Sequence, residues 1–278
     1  MEPKLLKASN DLIFKRVFGD ARNKDILSSF LMSILEIPKE EYEDITILNP
    51  ETTIEKADDK RSILDLLLHT KNRNIVHIEV QVRNDPSIRG RLLFYVSKKY
   101  SSQLSVGEAY SELNKVISIL MTGYELTTGN DYHNVYKLMN CKTGEVFSDD
   151  LEIHTLEYKK LPIEEDGTML YNWLKLIKSD SLEERDMLKE KDVAISRAID
   201  ELDRISQDAM IREAYDKREM EIMSYNTNLS IARDEGANEK AIEMAKTGLE
   251  NDVDIATIVL MTGLMKEKIK SLRGDENL

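Results

Sequence analysis

Asp65, Glu79 and Gln81 stand in the pattern Asp-x13-Glu-x-Gln, inside two strongly apolar segments. Ile63–Thr70 and Ile75–Val82 read as strands, and the polar, turn-rich Lys71-Asn72-Arg73-Asn74 between them predicts a hairpin. Side chains alternate faces along a strand. Val76, Ile78, Val80 and Val82 therefore share one face, and His77, Glu79 and Gln81 the other. On the preceding strand Leu64, Leu66 and Leu68 share a face, with Asp65 opposite them among Ile63, Leu67 and His69. A turn with an odd number of residues, such as Thr70–Asn74, sets Asp65 directly across from Glu79.

Like charges facing each other across a ladder repel by about 0.2–1 kcal/mol even when exposed, and apolar surroundings deepen the penalty. A divalent cation removes the conflict: two carboxylates, a backbone carbonyl and waters suit Mg²⁺, which takes oxygen ligands. The alternative is an edge hairpin whose polar face is simply wet. Two neighbouring features favour chemistry. Asp11, in the first helical segment, can point into the same cleft. Residues 86–104 carry Arg89, Arg91, Lys98 and Lys99 and no acid, the charge that a phosphate-facing helix requires. A solvated helix face is the plainer account of that run. His77 shares the face of Glu79 and is a candidate base or outer ligand, although a hydrogen-bonded structural role suits it equally.

Around this hairpin the chain alternates helix and strand. Ser9-Asn10-Asp11 offers caps for a short helix through Phe14, Val17 and Phe18, stopped at Gly19. A second helix runs from about Asn23 to Leu35, with Ile26, Leu27, Phe30, Leu31 and Ile34 on one face. Ile45–Asn49 is a first strand candidate, ended by Pro50. Pro86 starts a long helix reaching roughly Leu104, and strands follow at Val116–Thr122, His133–Met139 and Glu152–Tyr158. His69, His133 and His154 look isolated. A Pro and a Gly bracket the acidic turn at Pro162–Gly167, after which nearly everything reads as helix. Ser181–Ser224 suggests two or three helices and Ala232–Leu249 another. Asp254–Leu272 divides at Gly263 into two short helices, which resemble a helix-turn-helix but equally an apolar hairpin used for self-association. The expectation is an α/β domain over residues 1–165 and a helical region over 166–278.

The 278 residues carry a net charge of −13, 41% hydrophobic and 33% charged residues, so the chain is globular rather than disordered throughout. No apolar stretch approaches the ~18 residues of a membrane span, and the first residues lack the apolar core of a secretory signal. One cysteine, Cys141, excludes an intramolecular disulfide and a Cys-rich zinc site. A cytosolic location with no membrane contact is expected. Gly-x-Ser-x-Gly elbows, Walker loops and dinucleotide-binding glycine loops are absent from the sequence.

Asp65 followed by Ile78-Glu79-Val80-Gln81 resembles the active site of the PD-(D/E)XK nuclease superfamily. The wider pattern resembles its Rpn branch, the recombination-promoting nucleases also called PD-(D/E)XK nuclease family transposases. Asn10-Asp11-Leu12-Ile13-Phe14-Lys15-Arg16-Val17-Phe18-Gly19, Leu64-Asp65-Leu66, then Arg91, Tyr95 and Tyr100, and Gln103 to Tyr110 support the likeness, which spans about residues 5–165.

The resemblance implies a restriction-endonuclease-like mixed-sheet core with an all-helical C-terminal extension. It implies Mg²⁺, with Mn²⁺ as substitute, held by Asp65, Glu79 and the Val80 carbonyl. Gln81 takes the place of the superfamily's lysine, and Asp11 that of the acid in its first helix. Leu64, not proline, precedes Asp65. Gln81 can orient water but cannot offset charge, so the expected activity is slow, or draws on a second metal, Lys98 or Arg91. The expected function is a metal-dependent DNA endonuclease linked by resemblance to recombination or mobile elements. The competing expectation is a catalytically weak or inactive DNA-binding or protein-interaction module on the same fold. DNA is the expected partner, held by Arg89, Arg91, Lys98 and Lys99, with self-association possible through the C-terminal helices.

Overall fold

The computed structural model describes residues 5–35, 38–42, 44–48 and 66–274. The first helix, α1 (Asp11–Phe18), is capped by the Asn10 side chain, which accepts from the Leu12 N–H, and ends at Gly19. α2 (Lys24–Ile34) buries Ile26, Leu27, Phe30, Leu31 and Ile34, the face its spacing predicts. β1 (Thr46–Ile47), β2 (Leu66–His69) and β3 (Ile75–Gln81) follow. Ile63–Asp65, the start of the expected second strand, lies outside the described residues, as does Asn49 at the end of the first. α3 (Ile88–Ser101) then leads to β4 (Val116–Thr122), β5 (His133–Met139) and β6 (Val146–Glu157). β6 starts earlier than its apolar pattern suggests because its first residues pair with the exposed end of β5, through Met139↔Val146.

The sheet is mixed, in the order β1-β2-β3-β4-β6-β5. β2 and β3 are antiparallel, with His69 opposite Ile75 and Leu66 opposite Ile78, so the turn is the odd-numbered Thr70–Asn74. β3, β4 and β6 run parallel. The register puts Leu66, Leu68, Val76, Ile78, Val80, Ile117, Ile119 and Met121 on one face, packed beneath α1 and α2 in the main core. The other face carries His77, Glu79 and Gln81 and is covered by α3 through Ile88, Leu92 and Val96.

Three further helices belong to the same core: α4 (Met169–Lys178), α5 (Leu182–Lys189) and α6 (Val193–Ser206). Trp173 of α4 is fully buried and meets Phe18 and Phe30 edge-on, while Phe14 stacks on Phe18. Such aromatic pairs contribute roughly 0.5–1.5 kcal/mol each beyond their burial. α6 buries Ile195, Ala198, Ile199, Leu202 and Ile205, a helical stripe facing α1 and α2. The turn at residues 162–167 thus ends the sheet, whereas the packing boundary falls later. The chain divides into two compact units, Met1–Met220 and Glu221–Leu278.

The segments expected as separate helices up to Ser224 and over Ala232–Leu249 are joined in one 42-residue helix, α7 (Ala209–Glu250). No proline interrupts it, and Gly236 sits in open space, so propagation continues past the polar stretch. In the second unit α8 (Ile255–Thr262) and α9 (Lys266–Gly274) pack Ile258, Ile269 and Leu272 onto Ala245 of α7. Gly263 closes α8 with φ +70°, the left-handed cap position where glycine is at no disadvantage. Among the described residues no helix is long and apolar enough to cross a membrane.

Candidate functional site

Glu79 lies near the C-terminal end of β3, buried on the face beneath α3 with its side chain 4% exposed. Arg91, one turn into α3, donates to Glu79 Oε1, to Gln81 Oε1 at 2.8 Å and to Asp85 Oδ2 at 3.2 Å. One guanidinium thus gathers three oxygens from the end of β3 and the loop that follows, using the fork geometry peculiar to arginine. Gln81 is oriented from its other end as well, Nε2 donating to the Arg83 carbonyl at 2.8 Å. Asp85 accepts from the Ser87 N–H at 2.8 Å and the Ser87 hydroxyl at 2.7 Å, a turn that launches α3. The Ser87 hydroxyl holds the Asp85 carboxyl below its usual range, against the opposing effect of burial.

Asp11, 3% exposed, lies at the start of α1. Arg218 of α7 grips it: Nε reaches Oδ1 at 3.0 Å and Oδ2 at 3.1 Å, and Nη2 reaches Oδ2 at 2.5 Å. The neighbouring residues pair too, Asn10 Nδ2 donating to Glu219 Oε1 at 2.9 Å. Two buried tyrosines follow the ends of parallel strands, Tyr158 within reach of the Asp11 charge and Tyr124 within reach of that of Glu79. Burial pushes the Tyr158 phenol well above its usual range, and the charges of Asp11 and Glu219 push it further. Tyr124 is pushed up to about 12, chiefly by burial, with Asp85, Arg91 and Glu79 all close enough to act on it. Gly123 admits the Tyr158 hydroxyl, which would collide with any side chain there.

A cavity of about 230 Å³ opens beside Asp85, between the start of α3 and the loop after β4, lined by Asn84, Pro86, Arg89, Tyr124 and Leu126 among others. Its wall is fixed by Arg89, which donates to the Leu126 carbonyl at 2.7 Å, and by Glu157. The Glu157 carboxylate accepts from the N–H groups of Leu126 and Thr127, from the Thr127 hydroxyl and from Lys160. These bonds outweigh burial and keep the carboxyl below its usual range.

The structure brings Glu79, Gln81 and Arg91 into direct contact and pairs Asp11 with Arg218 of α7. Asp65 lies outside the described residues, one position before Leu66. The Val80 side chain turns to the opposite, core face. His77 meets Ser118, Nδ1 to Oγ at 3.2 Å, as suits a structural histidine. Of the four basic residues grouped for DNA contact, Lys98 and Lys99 are exposed, Arg89 is exposed while holding Leu126, and Arg91 turns inward. Lys98 stands 6.0 Å above the exposed Phe94 ring. His133 and His154, isolated in the sequence, are joined: His133 Nε2 meets His154 Nδ1 at 2.9 Å, and His154 Nε2 meets Glu152 Oε1 at 2.6 Å. Alternation along β6 already sets Glu152 and His154 on one face, but nothing local names His133 as their neighbour.

The donors gathered at the end of β3 are hard oxygens, two carboxylates and an amide, the kind a Mg²⁺ ion takes. Among the described residues no group of three or more His, Cys, Asp or Glu side chains is placed to hold a metal ion. A fit therefore depends on Asp65 joining Glu79.

The family model for PD-(D/E)XK nuclease family transposases matches residues 8–232. The match takes in α1, the whole sheet, α4 to α6 and the first half of α7, beyond the span of about 5–165 over which the motifs carry a resemblance. No curated protein and no solved structure matches the chain.

Proposed function

Because the chain belongs to the PD-(D/E)XK nuclease family transposases, we propose that it is a metal-dependent DNA endonuclease whose centre comprises Asp65, Glu79, Gln81 and Asp11. The observation that carries this reading is the buried Glu79 carboxylate, joined to Gln81 and Asp85 by a single guanidinium at the C-terminal end of parallel strands.

Asp65, Glu79 and the Val80 carbonyl would hold Mg²⁺ or Mn²⁺, which would polarise a phosphodiester and make a nearby water more acidic. Gln81, anchored at both ends of its amide, would orient an attacking water without adding charge. Arg91 contributes the positive charge that a lysine at position 81 would have supplied, from a side chain that already touches both Glu79 and Gln81. Asp11 lends a second negative centre from α1. Arg89, Lys98 and Lys99 on α3 hold backbone phosphates, so binding is loose in sequence and sensitive to salt.

A second reading, a DNA-binding or protein-interaction module that does not cut, draws on one observation: a cation from the chain itself, Arg91, sits on Glu79. Nicking of supercoiled plasmid separates the two. Purified chain is incubated with Mg²⁺, Mn²⁺ or EDTA, beside an Asp65→Ala variant. Cutting that needs metal and disappears in the variant is expected. DNA bound but uncut under every metal would leave the module reading.

A further inference from the structure

Two consecutive residues at the start of α1 pair with two consecutive residues of α7: Asp11 with Arg218, and Asn10 with Glu219. Asn10 uses both ends of its amide, the oxygen capping α1 and the nitrogen reaching Glu219. Helix capping accounts for Asn10. It does not account for Arg218. A first-turn aspartate is already favoured by the helix N-terminus, and the Asp11 Oδ1 accepts from the Leu12 N–H at 3.0 Å. The guanidinium adds a bidentate grip on a carboxylate that is 3% exposed, which removes its rotational freedom. The charge of that carboxylate reaches Tyr158, whose hydroxyl is admitted by Gly123. Next along lies Tyr124, beside Glu79 and Arg91.

We propose that Arg218 is a positioning residue of the nuclease centre, fixing the Asp11 carboxylate for the reaction, so that the first part of α7 is a working element of the site. The inference rests on the nuclease reading above. It gives residues 209–220 a task that neither the strand motifs nor the basic helix assigns, and it explains why they belong to the same compact unit as the sheet.

The test uses single-turnover cleavage of plasmid by the full chain, reading the rate constant and the amplitude separately. Variants are Asp11→Asn, Arg218→Gln, Arg218→Lys and the double Asp11→Asn/Arg218→Gln, each checked by thermal unfolding and by DNA affinity in EDTA. Arg218→Gln is expected to lower the rate constant on the order of 10–100-fold, with amplitude and DNA affinity within about twofold of the parent, the non-additivity below being the discriminating sign. Arg218→Lys, which keeps the charge but loses the fork, falls between, and serves should the Gln variant not fold. The double variant is no slower than Asp11→Asn alone, since both changes act through one carboxylate. A loss of amplitude with the rate constant intact would make Arg218 purely structural and overturn the proposal. So would additive effects, or an Arg218→Gln chain that cuts faster than the parent. A parent chain that cuts under no metal would instead bring down the nuclease reading, and this inference with it.

Discussion

Arg91 on α3 donates to the buried carboxylate of Glu79 on β3, from a side chain 29% exposed to one 4% exposed. The same guanidinium holds Gln81 and Asp85. On the nuclease reading proposed above, Arg91 would supply the positive charge of the centre while occupying an oxygen that a bound cation would share.

Removing Arg91 exposes that double role. Breaking a buried ion pair costs roughly 3–5 kcal/mol when one charge is left behind, and the partial exposure of Arg91 lowers this to about 2–3 kcal/mol. Arg91→Met is expected to lose about that much in urea unfolding in EDTA. Millimolar Mg²⁺ should then return more stability to the variant than to the parent, because an ion bound only to the folded chain stabilises it and no longer competes with a guanidinium. Equal gains from Mg²⁺ in both chains would show that Arg91 and the metal do not share Glu79.

Gln81→Lys restores the lysine of the superfamily pattern, yet it sets an ammonium against the Arg91 nitrogen that now lies 2.8 Å from Gln81 Oε1. The single change is expected to lower stability and leave cleavage no faster. Combined with Arg91→Met, the lysine takes over the charge, and the double variant should cut faster than either single one. A single Gln81→Lys chain that outpaces the parent would place Arg91 outside the charge balance.

Gly123 predicts a steric dependence. A Cβ at position 123 would run into the Tyr158 hydroxyl, and overpacking of this kind costs typically about 1–3 kcal/mol. Gly123→Ala should be destabilised by that amount in urea, and Tyr158→Phe in the same chain should recover most of it by deleting the oxygen. No recovery would mean that the phenol does not occupy the notch.

The pH dependence of stability should begin early. Burial, with the neighbouring charge of His154, lowers His133 to about 4 in the folded chain, Glu152 partly opposing. The unfolded chain takes up this proton near pH 6.5. The contribution is therefore complete above pH 6.5 and is lost as pH falls towards about 4. Glu152 adds a loss at lower pH. Hydrogen bonds from His154, Lys115 and Lys137 outweigh its burial and hold its carboxyl well below the usual range. In His133→Gln the fall between pH 6.5 and 4.5 should flatten, measured as urea midpoints across that range. An unchanged slope would remove His133 as its source.

What the sequence reveals and withholds follows the range of the interactions. Ser9-Asn10-Asp11, the helical spacing of Phe14, Val17 and Phe18, and Gly19 define α1 within a single segment; its end falls at Phe18 before Gly19 as expected, and of the three cap candidates Asn10 is the one used. The hairpin is equally legible, since a five-residue turn and the strand period set His69 against Ile75. Arg218 is not, because it meets Asp11 across 207 residues and its own surroundings are those of an ordinary charged helix. The same holds for α4 and α6, whose apolar stripes read as helices but do not name α1 and α2 as the surface they cover. Arg91 reads as one of four basic residues on a helix, and only the packing of α3 on the sheet turns it towards Glu79.

That division of the basic helix can be read in salt dependence. Each cation withdrawn from a phosphate should reduce the slope of log affinity against log salt by about 0.9. Lys98→Gln and Lys99→Gln, both on the exposed surface of α3, should each weaken DNA binding in EDTA and flatten the slope by about that amount. Arg91→Gln should leave the slope unchanged and lower the cleavage rate constant, because its guanidinium is spent on Glu79, Gln81 and Asp85 rather than on the duplex backbone. Fluorescence anisotropy over a salt series, paired with single-turnover cleavage, distinguishes the two behaviours. A flattened slope in Arg91→Gln would move Arg91 to the DNA-facing surface, and unchanged slopes in both lysine variants would take the duplex away from α3 altogether.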